Sequence, residues 1–163
     1  MQHRTMRRSR TRFVTRKTAK SHYTIQWHNS IPARYLTTIN TSISGEFVGV
    51  NPSDMVGPHN SGLLVLSPGR KELAAYTIVG KGRSWYVRWL VTLPSHRGRG
   101  LAKAMLDQLK RKAMKPIKLH VRPDTVAAKI YHDAGFMKTG KIKPLMDGSG
   151  LTVNMVELVH RVN

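Results

Sequence analysis

The chain has 163 residues, with 28 Lys and Arg against 8 Asp and Glu, a net charge of +20 and no cysteine. That length predicts one domain with a core of its own, and the lack of cysteine excludes disulfides, thiolate metal ligands and a cysteine nucleophile. It fits a reducing compartment, so a cytoplasmic location is expected; no apolar run approaches the ~18 residues of a membrane span, and so large a charge favours phosphorylated or polyanionic partners.

Residues 1–20, MQHRTMRRSRTRFVTRKTAK, hold eight cations, no acid and few apolar anchors. They read first as a flexible basic tail that gathers phosphates, with a transit peptide or a segment docked on the domain or on a partner as alternatives. The remainder, 21–163, is expected to form the domain, and it is basic too, with 20 cations to 8 acids. SHYTIQWH (21–28) predicts a short strand. In 29–44 the spacing of Ile31, Tyr35, Leu36 and Ile39 predicts one or two short helices. Residues 45–60, rich in Gly, Pro and Asn, carry no firm prediction. Three antiparallel strands are expected at 62–67, 72–79 and 85–93, each break marked by glycine or proline. On the last, strict alternation puts Tyr86, Arg88, Leu90 and Thr92 on one face and Trp85, Val87, Trp89, Val91 and Leu93 on the other.

The period then changes. Leu101, Met105, Leu106 and Leu109 form an apolar helix face, with Lys110, Arg111 and Lys112 in a last turn whose dipole suits cations. IKLHV (117–121) predicts a strand, and 124–136 a helix with Asp124 as N-cap and Gly135 as its stop. A hairpin closes the chain, 136–146 and 151–160 around DGSG. This order makes an α/β fold with a mixed sheet, an α+β-type arrangement of sheet and flanking helices.

The most specific stretch is PSHRGRGLA (94–102), between strand and helix. A dinucleotide fingerprint fails because Lys103 stands where Gly or Ala is required and no acid ends the next strand; a P-loop is absent. The general chemistry survives. The opening turn of a helix has unpaired N–H groups and the positive end of the dipole, Gly98 and Gly100 let an anion approach the backbone, and Arg97 and Arg99 add charge. A diphosphate seat is expected here.

The pattern Arg-x-x-Gly-x-Ala, Arg97 to Ala102, with Pro94 before it, resembles the acetyl-CoA loop of the GNAT N-acetyltransferase superfamily. A second stretch, LHVRPDTVAAKIYHDAGF (119–136), is similar to another family segment, with Asp124, Ala127, Tyr131, Gly135 and Phe136 at its marked places. The resemblance covers about 62–160 and implies the GNAT acyl-CoA N-acyltransferase fold, a central mixed sheet flanked by helices. It implies that Arg97, Gly98, Arg99, Gly100, Leu101 and Ala102 hold the diphosphate of acetyl-CoA as acyl donor. Val91, Thr92 and Leu93 would pair with its pantetheine and polarise the thioester carbonyl, and Asp124 would lie beside the cofactor or serve only as a cap. Tyr131 would protonate the leaving thiolate, and a neutral amine would attack directly, a reaction helped by fixed donors aimed at the developing charge.

One departure bears on mechanism. Many relatives carry a general-base Glu on the strand before the loop, and WYVRWLVTL has none. His120 and His132 are substitutes to weigh against surface or core histidines, so the base stays unassigned. Arg88 reads equally as a substrate contact or an edge residue, and Trp27, Trp85 and Trp89 as core or groove residues. The histidines lack ligand spacing, so no metal is expected. The expected partners are acetyl-CoA, an amine-bearing acceptor, a polyanion (RNA, DNA or acidic protein) and a second copy of the chain as a homodimer. The alternative is a GNAT-fold protein with weak or lost catalysis, acting as a basic module that binds nucleic acid, ribosome or virion.

Overall fold

The computed structural model describes residues 22–47, 50, 52–70, 72–146 and 150–163. The elements run β1 Thr24–His28, α1 Ala33–Glu46, β2 Ser61–Leu66, β3 Leu73–Lys81, β4 Trp85–Thr92, α2 Leu101–Lys112, β5 Ile117–Val121, α3 Val126–Asp133, β6 Met137–Met146 and β7 Thr152–His160. The basic stretch 1–20 and the Asp147–Ser149 part of the last turn lie outside the described residues.

Periodicity located α1 and α2 because each buries one stripe, whereas β2 and β3 are buried on both faces and stand out as apolar runs between breaks. In α1, Ile39 and Ile43 are fully buried, and the stripe runs one turn past Ile39, so 33–46 is a single helix ending two residues beyond the expected stretch. In α2 the four apolar residues of the expected face are all buried. Four antiparallel strands, not three, lead the sheet, because β1 pairs with β2 from Thr24 to His28. The order is β1-β2-β3-β4-β5-β7-β6, with β4 and β5 the parallel neighbours and α2 the crossover between them, as a parallel pair requires. One core lies between the sheet and α2 and α3, where Leu101, Met105, Leu106 and Tyr131 meet Val87, Ile117 and Leu119. The other lies beneath α1, where Ile39 and Ile43 meet Leu64, Tyr76, Ile78 and Val91.

The strict alternation expected of β4 is corrected. Ile78 pairs with Trp89 but Val79 pairs with Val87, so Arg88 is an extra residue, a β-bulge. Beyond it the faces exchange: Leu90 packs with the Val87 side, whereas Trp89, Val91 and Leu93 belong to the core under α1. A bulge re-aims side chains and sharpens local twist, and here it sits on the strand that leads to the loop.

The cap of α3 is a second correction. Asp124 is not the N-cap; it takes φ +60, a left-handed conformation that Asp tolerates better than most residues. The next residue caps instead, Thr125 Oγ1 accepting from the Ala128 N–H at 3.1 Å and donating to the Arg122 carbonyl at 2.9 Å. Gly135, at φ +91, ends the helix as expected. Thr125→Ala is therefore expected to cost about 1 kcal/mol, lowering Tm by roughly 2–4 °C for a domain this size; Asp124→Ala leaves that hydrogen bond in place. Parallel thermal melts of the two variants check the assignment.

Candidate active site

β4 and β5 are joined only at their starts, through Trp85↔Ile117 and Tyr86↔Lys118. Past Tyr86 their facing edges open into a gap. On β4 the Leu93 N–H is held by the Ala74 carbonyl of β3. Antiparallel pairing alternates, so Val91 and Trp89 also face β3, and the backbone of Leu90 and Thr92 faces the gap. The expected backbone site at Val91–Leu93 is thereby narrowed to Thr92, with Leu90 beside it. Val91 is buried in the core, and Leu93 packs against it.

The loop 94–100 crosses the open end of this gap. Gly98 and Gly100 have φ of +74 and +73, and a Cβ added to either would meet nothing within 4 Å. Both are therefore glycine for conformation, and open space lies above them. Gly100 is the N-cap of α2 with no side-chain cap, and its carbonyl receives the first helical bond, from Ala104. The amides of Gly100, Leu101, Ala102 and Lys103 thus precede any intrahelical partner. Leu101 is buried, so it offers a ligand only its N–H. Arg99 is exposed, with no carboxylate partner among the described residues. This cradle of amides, left-handed glycines and a free guanidinium fits a diphosphate.

Arg97 differs from expectation. Its Nη2 donates to Glu46 at the end of α1 at 2.6 Å, and its Nε donates to the Thr92 carbonyl at 3.1 Å. The side chain fastens the loop to α1 and to β4 rather than reaching out. His96 anchors the loop from within. It is buried, with Nδ1 2.9 Å from the Tyr23 hydroxyl and Nε2 3.1 Å from Glu72. These two residues make the loop a fixed feature of the sheet, as a preformed anion site requires.

At the apex of the gap stands a group that sequence reasoning left unassembled. The Tyr86 hydroxyl lies 2.7 Å from His120 Nδ1, His120 Nε2 lies 3.9 Å from Glu157, and Glu157 accepts from Thr139 Oγ1 at 2.9 Å. Alternation explains the meeting. Ile117, Leu119 and Val121 of β5 face the core under α2 and α3, so His120 faces the opposite side of the sheet, where its partner in β7 is Glu157. Burial lowers the His120 pKa from its ordinary value, against an upward pull from Glu157, with Lys143 lowering it further. The ring is therefore neutral near pH 7. A carboxylate facing Nε2 favours the tautomer with hydrogen there, leaving the Nδ1 lone pair to accept from Tyr86. Burial, with Glu157 adding, raises the Tyr86 pKa.

Tyr131 comes from α3, on the other face of the sheet. It is buried against Phe136, ring centroids 5.8 Å apart. Burial first, and then the nearby Tyr86, push its pKa far above the ordinary phenol value, which keeps the proton on oxygen at neutral pH. Asp124 is exposed at the rim of a separate hollow of about 300 Å³ lined by α3, β5, β6 and β7, which includes His132 and none of residues 94–102. Arg88 reaches the Asp54 carbonyl at 3.4 Å, as does the Trp89 indole at 3.3 Å, so the bulge holds the segment after α1.

A seven-stranded mixed sheet parted between its two parallel strands, with a glycine–arginine loop opening a helix at the gap, defines an acyl-carrier-dependent transferase. The sequence matches the model of the Acetyltransferase (GNAT) family over residues 6–136. The chain belongs to that family, is an acetyltransferase, and as a member takes its acetyl group from acetyl-CoA. Among solved structures it is similar to Arabidopsis thaliana NAA60 in complex with acetyl-CoA, at 16% identity and TM-score 0.67, covering 85% of this chain and 100% of that one. It is also similar to the ribosomal-protein-S18-alanine N-acetyltransferase from Escherichia coli, at 18% identity and TM-score 0.62, covering 86% and 94%. A third is the dodecameric spermidine N-acetyltransferase from Vibrio cholerae, at 13% identity and TM-score 0.67, covering 84% and 93%. No curated protein sequence matches the chain significantly.

Proposed function

We propose that the protein transfers acetyl from acetyl-CoA to the α-amino group of a protein or peptide. The loop amides of residues 98–102 and the Arg99 guanidinium hold the diphosphate, and Leu90 and Thr92 present backbone N–H groups to the pantetheine and the carbonyl oxygen. The donor supplies an activated acetyl thioester. Tyr86 and His120 serve the acceptor from one face of the gap. As the amine nitrogen bonds to the carbonyl carbon, its proton passes to the Tyr86 oxygen while the Tyr86 proton moves to His120 Nδ1. Glu157 then faces the imidazolium, whose charge it offsets. Tyr131 serves the leaving group from the other face, giving its proton to sulfur as the carbon–sulfur bond breaks.

A neutral imidazole base suits an amine that is itself partly neutral. An α-amine titrates near 7.7–8.0, against about 10.4 for lysine, so far less work is needed to have it ready at pH 7. An alanine acceptor is named for the similar Escherichia coli enzyme. The observation that carries the reading is the pair of left-handed glycines opening α2 beneath empty space. Acetyl-CoA is expected to raise Tm of the full chain, since it binds the native state alone. Transfer is expected to a peptide with a free N-terminus, and not to the same peptide with a blocked terminus and a free lysine. The reverse preference, or transfer to spermidine alone, would refute the acceptor class. Gly100→Val places a β-branched residue in a left-handed conformation, at about 1–2 kcal/mol, and fills the cradle. The expected result is at least a tenfold rise in KM for acetyl-CoA with a smaller change in kcat.

A further inference from the structure

A second surface lies at the other end of α2, about 18 Å along the helix from the loop. Between residues 73 and 123 there are twelve cations and one acid, Asp107, and Asp107 is paired with Lys110 at 3.6 Å. Two of these cations, Lys81 and Lys112, meet a pair of indoles. Trp27 of β1 stacks on Trp85 of β4, centroids 5.3 Å apart and planes 17° from parallel. Lys81 Nζ and Lys112 Nζ stand 4.8 and 5.0 Å from the centre of the Trp27 ring.

The arrangement is held together by hydrogen bonds and not by counter-charges. Asn29 Oδ1 accepts from the Trp27 indole at 2.8 Å and from Lys81 at 3.3 Å. Lys115 donates to the Gly82 carbonyl at 2.8 Å, which ties the end of α2 to the β3–β4 turn. Arg83, in that turn, is exposed. Among the described residues none of Lys81, Arg83, Lys112 and Lys115 has a carboxylate within ion-pair distance. A last-turn lysine ordinarily offsets its own helix dipole, but Lys112 instead leaves α2 to reach an indole on another element. The chain thus presents a half-buried aromatic platform ringed by unneutralised ammonium groups.

We propose that this pole binds single-stranded nucleic acid, an unpaired base stacking on the Trp27–Trp85 pair while Lys81, Lys112 and Lys115 engage phosphates. The exchange is favourable in kind, because an exposed ammonium–indole contact is weaker than a base on an indole, and the displaced ammonium gains a phosphate. A duplex keeps its bases stacked inside and could use only the charges. The surface is separate from the acetyl-transfer machinery, so the inference stands whatever the acceptor proves to be.

The test is fluorescence and anisotropy titration of the full chain with 12-nucleotide single strands of RNA and of DNA, a hairpin duplex and heparin. Single strands are expected to quench tryptophan emission and to bind more tightly than the duplex; RNA favoured over DNA, or equal binding of both, supports the proposal and identifies the sugar. Lys81→Glu with Lys112→Glu is expected to weaken single-strand binding at least tenfold and to lower the salt slope by about 1.4, at ~0.7 per phosphate contact. Trp27→Leu is expected to weaken it about tenfold while leaving heparin binding unchanged. Both variants should keep the acetyl-CoA-induced rise in Tm, which verifies their fold. Wild-type affinity in the lysine variant would overturn the proposal, as would preference for heparin over the oligonucleotides.

Discussion

His120→Gln is expected to lower kcat by about a hundredfold to ten-thousandfold, the range over which a positioned acid or base contributes, with little change in KM for acetyl-CoA. Glutamine keeps the size and a hydrogen bond to Tyr86 but cannot hold a second proton. The pH profile separates this from a merely structural loss. Because burial lowers the His120 pKa, its base form is populated above a midpoint lying below the usual 6.5. kcat/KM of the wild type should therefore rise through that midpoint as pH increases, and rise again as the α-amine loses its proton near 7.7–8.0. In His120→Gln the first limb should vanish and the second remain. A variant that keeps the lower limb would place the base elsewhere. Tyr86→Phe interrupts the same path, and its effect combined with His120→Gln should fall well short of the product of the two, as for groups that act as one unit.

How these residues came together explains what the sequence could and could not disclose. α2 was legible because it shows its buried stripe locally, in Leu101, Met105, Leu106 and Leu109, and the strands before it because glycine or proline punctuates their apolar runs. The loop was legible because its chemistry is contiguous, four residues in a row. The bulge at Arg88 was not. WYVRWLVTL carries no glycine or proline to mark a bulge, so its register is decided by β3, the strand beside it. The Tyr86–His120–Glu157 group was hidden for a related reason, since its members lie on three strands and meet only through the order β4-β5-β7. One sign was available. Glu157 is an acid inside the apolar run NMVELVH, and an acid at a buried strand position calls for a partner. Asp124 and Thr125 show the limit of local rules. Both are good caps, and only the backbone conformation after Pro123 decides that Thr125 does the capping and Asp124 turns left-handed. Arg97 shows that a motif position fixes where a residue is but not what it touches, because Glu46 lies 51 residues away in sequence.

Tyr131→Phe is expected to match His120→Gln in size and to differ in kind. It too should lower kcat about a hundredfold to ten-thousandfold, leaving the acetyl-CoA-induced rise in Tm intact, because the ring and its packing on Phe136 are kept. The difference is in which bond suffers. A thiolate leaves as the weaker base of the two heteroatoms, so without a proton donor the loss should shrink as the leaving thiol becomes more acidic. An acetyl donor with an aromatic thiol should restore turnover in Tyr131→Phe and do nothing for His120→Gln. The pH limbs should also part: the far-raised phenol pKa keeps Tyr131 protonated throughout the neutral range, so Tyr131→Phe should leave the lower limb of the profile where it stands. Were the aromatic thioester to rescue both variants equally, one residue could not be acting on sulfur and the other on the amine. The two faces of the gap would then not divide the reaction between them.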